Sequence, residues 1–178
     1  DPRDPGDWVT SAESASGEFA GCQVEDSSWH GTKVASIIGA TTNNGIGMAG
    51  IAHGAQILPV RVLSKCGGWD SDITAGMRWA AGLAVPGVPK NLNPAKVLNM
   101  SLGSPFDASK PEACAIYNKA IADVNAAGAM VIVAAGNSDG LAVGTPANCV
   151  GAIAVGGLRH TGTKSGYSDL GPEITISA

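Results

Sequence analysis

Two residues of this chain have the side chains and settings that acyl chemistry needs, His30 and Asn137. His30 lies within Ser28-Trp29-His30-Gly31-Thr32-Lys33-Val34-Ala35, and Asn137 closes the apolar run Ala134-Ala135-Gly136-Asn137. An imidazole at the rim of a buried element can take a proton from a nucleophile, and a side-chain amide at the end of a rigid one can donate to a developing oxyanion. Between them Ser101-Leu102-Gly103 offers a backbone edge with little side chain. Base, amide donor and edge are parts of an acyl-transfer site. Each also has a plainer use: a core histidine capping a helix, or an asparagine that tolerates a left-handed turn after glycine.

The surrounding pattern indicates which elements must hold these residues. Ser27 and Ser28 offer N-cap oxygens, and His30, Val34, Ile37 and Ile38 recur at the helical period, which predicts a helix over 30–40 with one buried stripe. Gly31, Ala35 and Gly39 form a second row, small enough for close approach to a neighbouring backbone. Residues 57–63 read as a strand despite Pro59, and a helix capped by Asp70 or Ser71 runs through Ile73, Met77, Ala80, Ala81 and Ala84 until Pro86 stops it. Residues 96–100 form a second strand. Ser109 and Glu112 space a capping box, with Pro111 in the first turn, for a helix whose stripe is Ile116, Ala120, Ile121 and Val124 and whose end is marked by Gly128. The run 129–135 is apolar without alternation, as in a strand covered on both faces, and residues 152–155 and 174–176 supply further strands. Residues 1–26 read as a surface loop. Alternating helices and strands predict an α/β fold: a doubly wound, mostly parallel sheet with helices on both faces, incomplete at both ends, in a single domain over 1–178. In such sheets ligands bind beyond the carboxyl ends of the strands.

Composition excludes several classes. With 178 residues, 44% hydrophobic, the chain can bury a sizeable core. A net charge of -4 and eleven scattered Lys and Arg argue against nucleic acid as a partner, and no apolar run approaches the length of a membrane span. Gly45-Ile46-Gly47-Met48-Ala49-Gly50 matches a dinucleotide fingerprint in letters, but a helix precedes it and a strand follows, the reverse of what that motif needs. It reads instead as a tight loop able to offer carbonyl oxygens to a cation. Cys22, Cys66, Cys114 and Cys149 make no metal-binding pair; as two disulfides they allow three pairings, of which Cys66 with Cys114 is favoured.

Taken in order, His30-Gly31-Thr32-Lys33-Val34-Ala35, Asn99-Met100-Ser101-Leu102-Gly103, Ala134-Ala135-Gly136-Asn137 and Tyr167-Ser168-Asp169-Leu170-Gly171 resemble the subtilisin family of serine proteases, and the cysteines resemble its bacterial secreted members. The resemblance implies a secreted, monomeric endopeptidase acting on polypeptides, with no cofactor for catalysis. It implies that His30 is the triad base and Asn137 the oxyanion donor. Ser101, Leu102 and Gly103 would pair with an extended substrate and, with Ala134, Ala135 and Gly136, wall the pocket before the cut. It further implies a cis bond before Pro146 and a structural calcium near Asn44 and Ile46, in a loop one residue out of step with the family's. Lys33 stands where the family usually has a second histidine. No strand ending in the triad aspartate precedes His30, since Asp1, Asp4, Asp7 and Asp26 all fall in loop-like sequence, and no nucleophile turn follows. Ser165 lies in the wrong connection to serve. The expectation is therefore a central segment of a longer peptidase domain, inactive alone; the alternative is an inactive protease-fold binding module.

Overall fold

The computed structural model describes residues 6–178, so Asp1 and Asp4 lie outside the described residues. The chain divides into two compact units, Asp1–Trp69 and Asp70–Ala178.

In the first unit the segment expected to be a surface loop contains a short helix, α1 (Ser11–Ala15). Its cap is a reciprocal box: the Thr10 hydroxyl accepts from the Glu13 N–H, while the Glu13 carboxylate accepts from the Thr10 N–H at 2.9 Å. The other Glu13 oxygen takes the Lys65 ammonium at 2.7 Å, and that ammonium also sits 4.7 Å from the Trp8 ring centre. Lys65 is thereby buried without being unpaired. The Cys22–Cys66 disulfide closes the same region.

Helix α2 (His30–Gly39) forms where its period predicts it, but none of its side chains is buried; Ile37 remains 49% exposed. Its small-residue row is half used. Gly39 lies against the backbone of Gly50, where a side chain on Gly50 would strike the Gly39 Cα, whereas a Cβ on Gly31 would meet nothing. Ile51 and Ala52 N–H groups then close on the Ile37 and Ile38 carbonyls. The strand expected over 57–63 is absent. No described segment of this unit offers it a ladder, and Pro59 lacks a donor, so those residues remain irregular.

The second unit carries the sheet. Strands β1 (Val97–Met100), β2 (Met130–Ala134), β3 (Ile153–Gly156) and β4 (Ile174–Ser177) lie in the order β1-β2-β3-β4, all parallel, with Leu98 beside Val131 and Ala134 beside Val155. Helix α3 (Asp70–Ala80) packs on α4 (Cys114–Ala126), and α4 packs on β2. This is the expected α/β, parallel architecture. Leu98, Met100, Val131, Val133 and Ala154 fill the core with Ile121 and Val124, both fully buried and each contributing roughly 1.5–3 kcal/mol.

Several details differ from the sequence reading. Burial along β2 alternates, because only one side faces α4; Met130 is 51% exposed on the other. Gly82, at φ 83°, ends α3 before Pro86, and the Asn91 amide caps the Trp79 and Ala80 carbonyls. The Ser109 capping box does not form, since the Asp107 carboxylate takes both the Ser109 N–H and hydroxyl, and α4 begins only at Cys114. Tyr117, anchored to the Asp70 carboxylate at 2.6 Å, occupies the stripe expected of Ile116. Cys114 pairs with Cys149, not with Cys66, so each disulfide closes within one unit.

Candidate active site

Strands β1 and β2 end side by side, and their exits bring two expected site segments to one place. Ser101, Ala134, Ala135, Gly136 and Asn137 line a single cleft of about 350 Å³, with Gly156, Gly157, Tyr167 and Ser168 opposite. Because parallel neighbours in register finish at the same level, the first residues beyond each strand are held together by the ladder itself. Leu102 and Gly103 do not line this cleft. They lead into an antiparallel bridge in which Ser104 and Thr145 exchange N–H···O bonds of 2.8 and 3.0 Å. A side chain on Gly103 would lie 2.7 Å from the Thr145 carbonyl, so this edge has to be bare. The bond between Thr145 and Pro146 is cis.

Asn99 also lines the cleft, and its amide donates to the Ser101 hydroxyl at 3.1 Å. The sequence motif contains Asn99 but assigns it no role. Two-residue spacing from Ser101 was the available signal, since i and i+2 share a face on a strand.

The turn bearing Asn137 is pinned from beneath. Gly136 has φ 122°, a conformation that L side chains rarely adopt. Its carbonyl accepts from the Asp169 N–H at 3.1 Å; the Ser138 N–H donates to Asp169 Oδ1 at 2.7 Å; the Asp139 N–H donates to the Tyr167 carbonyl at 3.1 Å. Asp169 is fully buried, and its Oδ2 has no hydrogen-bond partner among the described residues. The Tyr167–Asp169 turn is itself held: the Lys164 ammonium donates to the Ser165, Gly166 and Ser168 carbonyls, and the Ser168 hydroxyl accepts from Gly157. Ser165 is buried and spends its hydroxyl on the Gly157 carbonyl, a structural engagement.

In the first unit His30 is the first residue of α2, exposed to solvent. Trp29 supplies the helix N-cap in a left-handed conformation without a side-chain bond, instead of the serine cap expected. Ser28 acts nearby: its hydroxyl accepts from the His30 N–H at 3.2 Å, and its own N–H and hydroxyl donate to the Asp7 carboxylate at 2.7 and 2.5 Å. The Ser28 hydroxyl holds the Asp7 carboxyl below the usual carboxylate range. Asp7 thus helps fix where α2 starts.

Asn44 and Ile46 line a second cleft, within the first unit, with Lys33, Ile37 and Met48. Asn44 Oδ1 accepts from the Ile46 N–H at 3.0 Å, closing a tight turn. One amide oxygen and one carbonyl fall short of the six to eight oxygens calcium takes, and no cluster of three acidic, histidine or cysteine side chains exists among the described residues.

Relatives place the chain. The sequence model of the Subtilase family matches residues 5–178. An extracellular basic protease of Dichelobacter nodosus is 41% identical over 178 residues, covering 99% of this chain and 29% of that protein. An extracellular protease of Xanthomonas campestris is 46% identical over 176 residues, covering 98% of this chain and again 29% of the relative. A solved structure of a protease from Pseudoalteromonas arctica superimposes with a TM-score of 0.86 at 42% identity, over all of this chain and 50% of that one. The chain therefore spans under a third of the length of those two relatives. With a fold in common and a family match over nearly every residue, the chain belongs to the subtilase family.

Proposed function

We propose that this chain is the central part of a secreted serine endopeptidase that cleaves polypeptides through an acyl-enzyme. His30 takes the proton from a serine nucleophile and returns it to the leaving amine. The Asn137 amide donates to the oxyanion of the tetrahedral intermediate. Ser101, Leu102 and Gly103 present the backbone edge on which an extended substrate adds a strand, and Ala134, Ala135 and Gly136 wall the pocket for the residue before the cut. The triad aspartate and the serine nucleophile come from sequence outside these 178 residues, so the segment alone is inactive. The enzyme works as a monomer in an oxidising, extracellular setting, where Cys22–Cys66 and Cys114–Cys149 persist. No step passes through a metal.

The observation that supports this most is the gathering of Ser101 and Ala134 to Asn137 around one cleft at the carboxyl ends of paired parallel strands, in a subtilase chain. The test is hydrolysis of a chromogenic peptide by the complete gene product. His30→Ala should abolish turnover. Asn137→Ala should lower kcat by about 10²–10³ with KM little changed, the range already measured for losing one oxyanion donor in a subtilisin. Turnover within twofold of wild type in either variant refutes the assignment. A complete protein that neither cleaves peptides nor reacts with a fluorophosphonate supports the binding-module alternative.

A further inference from the structure

Asn137 makes no hydrogen bond of its own among the described residues, and it is exposed. A donor that must meet an oxyanion at about 2.7–3.1 Å cannot be left to a free turn. Its direction is set by the residues on either side. Gly136, Ser138 and Asp139 each bond to the Tyr167–Asp169 turn, and Asp169 accounts for two of those three bonds. Only one of them uses a side chain: Asp169 Oδ1 accepting the Ser138 N–H at 2.7 Å, immediately after Asn137. Asp169 Oδ2 packs where a Cβ on Gly136 would be, 2.2 Å from that position, so the carboxyl group touches the Asn137 turn from both flanks.

We infer that Asp169 is a positioning residue for oxyanion stabilisation, acting through Ser138 and Gly136 to aim the Asn137 amide; this rests on the reading of Asn137 as the oxyanion donor. Stability alone does not account for the group. Burying a carboxyl costs free energy that a neutral side chain of similar size avoids. The Oδ1 bond to Ser138 is what an apolar residue could not supply.

The experiment uses the complete gene product, with kcat referred to active-site concentration by burst titration so that unfolded molecules do not count. Asp169→Ala removes the acceptor and should lower kcat about 10- to 100-fold with KM within about twofold, as expected when an interaction made only in the transition state is lost. Asp169→Asn keeps an oxygen toward the Ser138 N–H and should retain activity within about threefold of wild type. In an Asn137→Ala background, Asp169→Ala should change kcat by less than about twofold, because the group it aims is gone. If Asp169→Ala yields no folded protein, Asp169→Ser, too short to reach the Ser138 N–H, carries the same expectation. An equal loss of kcat in both backgrounds, or a rise in KM alone, overturns the positioning role while leaving Asn137 as the donor. An Asn137→Ala variant with unchanged kcat overturns the oxyanion reading, and this inference with it.

Discussion

Gly136→Ala isolates the conformational demand at the turn that carries Asn137. Two costs can be worked from the structure. The first is backbone strain: at φ 122° an L side chain pays about 1–3 kcal/mol. The second is steric. The new Cβ would stand 2.2 Å from Asp169 Oδ2, and Asp169 is fully buried, with its other oxygen tied to Ser138. Moving the carboxyl aside breaks that bond and strands the Ser138 N–H, a further cost of about 1.5–3 kcal/mol. Together they come to roughly 2.5–6 kcal/mol, a large part of a typical domain's stability. Gly162 is the control. It has φ 79° and nothing within 4 Å of its would-be Cβ, so Gly162→Ala pays strain alone. Urea unfolding of both variants in the complete protein, with a covalent inhibitor present to prevent autolysis, gives the difference directly. Gly136→Ala should be at least 1.5 kcal/mol or so less stable than Gly162→Ala. Equal midpoints and slopes for the two variants would show that Asp169 is free to move and would refute the clamp.

Other outcomes follow from the same contacts. The Lys65 ammonium, helped by the Thr10 N–H and hydroxyl, holds the Glu13 carboxyl down at about 2 against an ordinary 4.5. A depressed folded-state value stabilises above the unfolded one and loses that contribution as pH falls through the folded one. The urea-midpoint difference between wild type and Glu13→Gln should therefore be full above pH 4.5 and vanish as pH falls toward 2; a pH-independent difference would refute the pairing. Each disulfide should matter by the loop it closes. Separations of 44 and 35 residues correspond to roughly 4 kcal/mol apiece in the chain-entropy description, so replacing Cys114 and Cys149 together by serine should lower the unfolding midpoint, and proteolysis should then start in the second unit. Cleavage confined to residues before Trp69 would refute that assignment.

Much of the site was legible because local chemistry and chain order carry it. The helix starting at His30, the strand ending before Ser101 and the strand ending before Asn137 each follow from period, propensity and turn residues within a dozen positions. The box at Thr10 and Glu13 is equally local, a capping spacing set inside an acidic, Gly- and Ser-rich segment that otherwise reads as loop. Other features were not local. Whether 57–63 becomes a strand depends on a neighbour to complete its hydrogen bonds, and none exists in its unit among the described residues. Cysteine pairing depends on which loops are brought within about 6 Å, which spacing along the chain does not encode. Ser109 lost its cap to Asp107, a competition between two side chains for one donor that both readings of the sequence allow. Asp169 is the clearest case. In sequence it is one letter of a turn 32 residues after Asn137, and only the tertiary fold buries it and sets its carboxyl against Gly136 and Ser138. Period, propensity and turn residues decide where α2, β1 and β2 lie and which side chains follow the two strands, because those depend on near neighbours. Which group holds which, and which polar atom goes without a partner, were decided by packing, because burial and hydrogen-bond competition are settled only when distant segments meet.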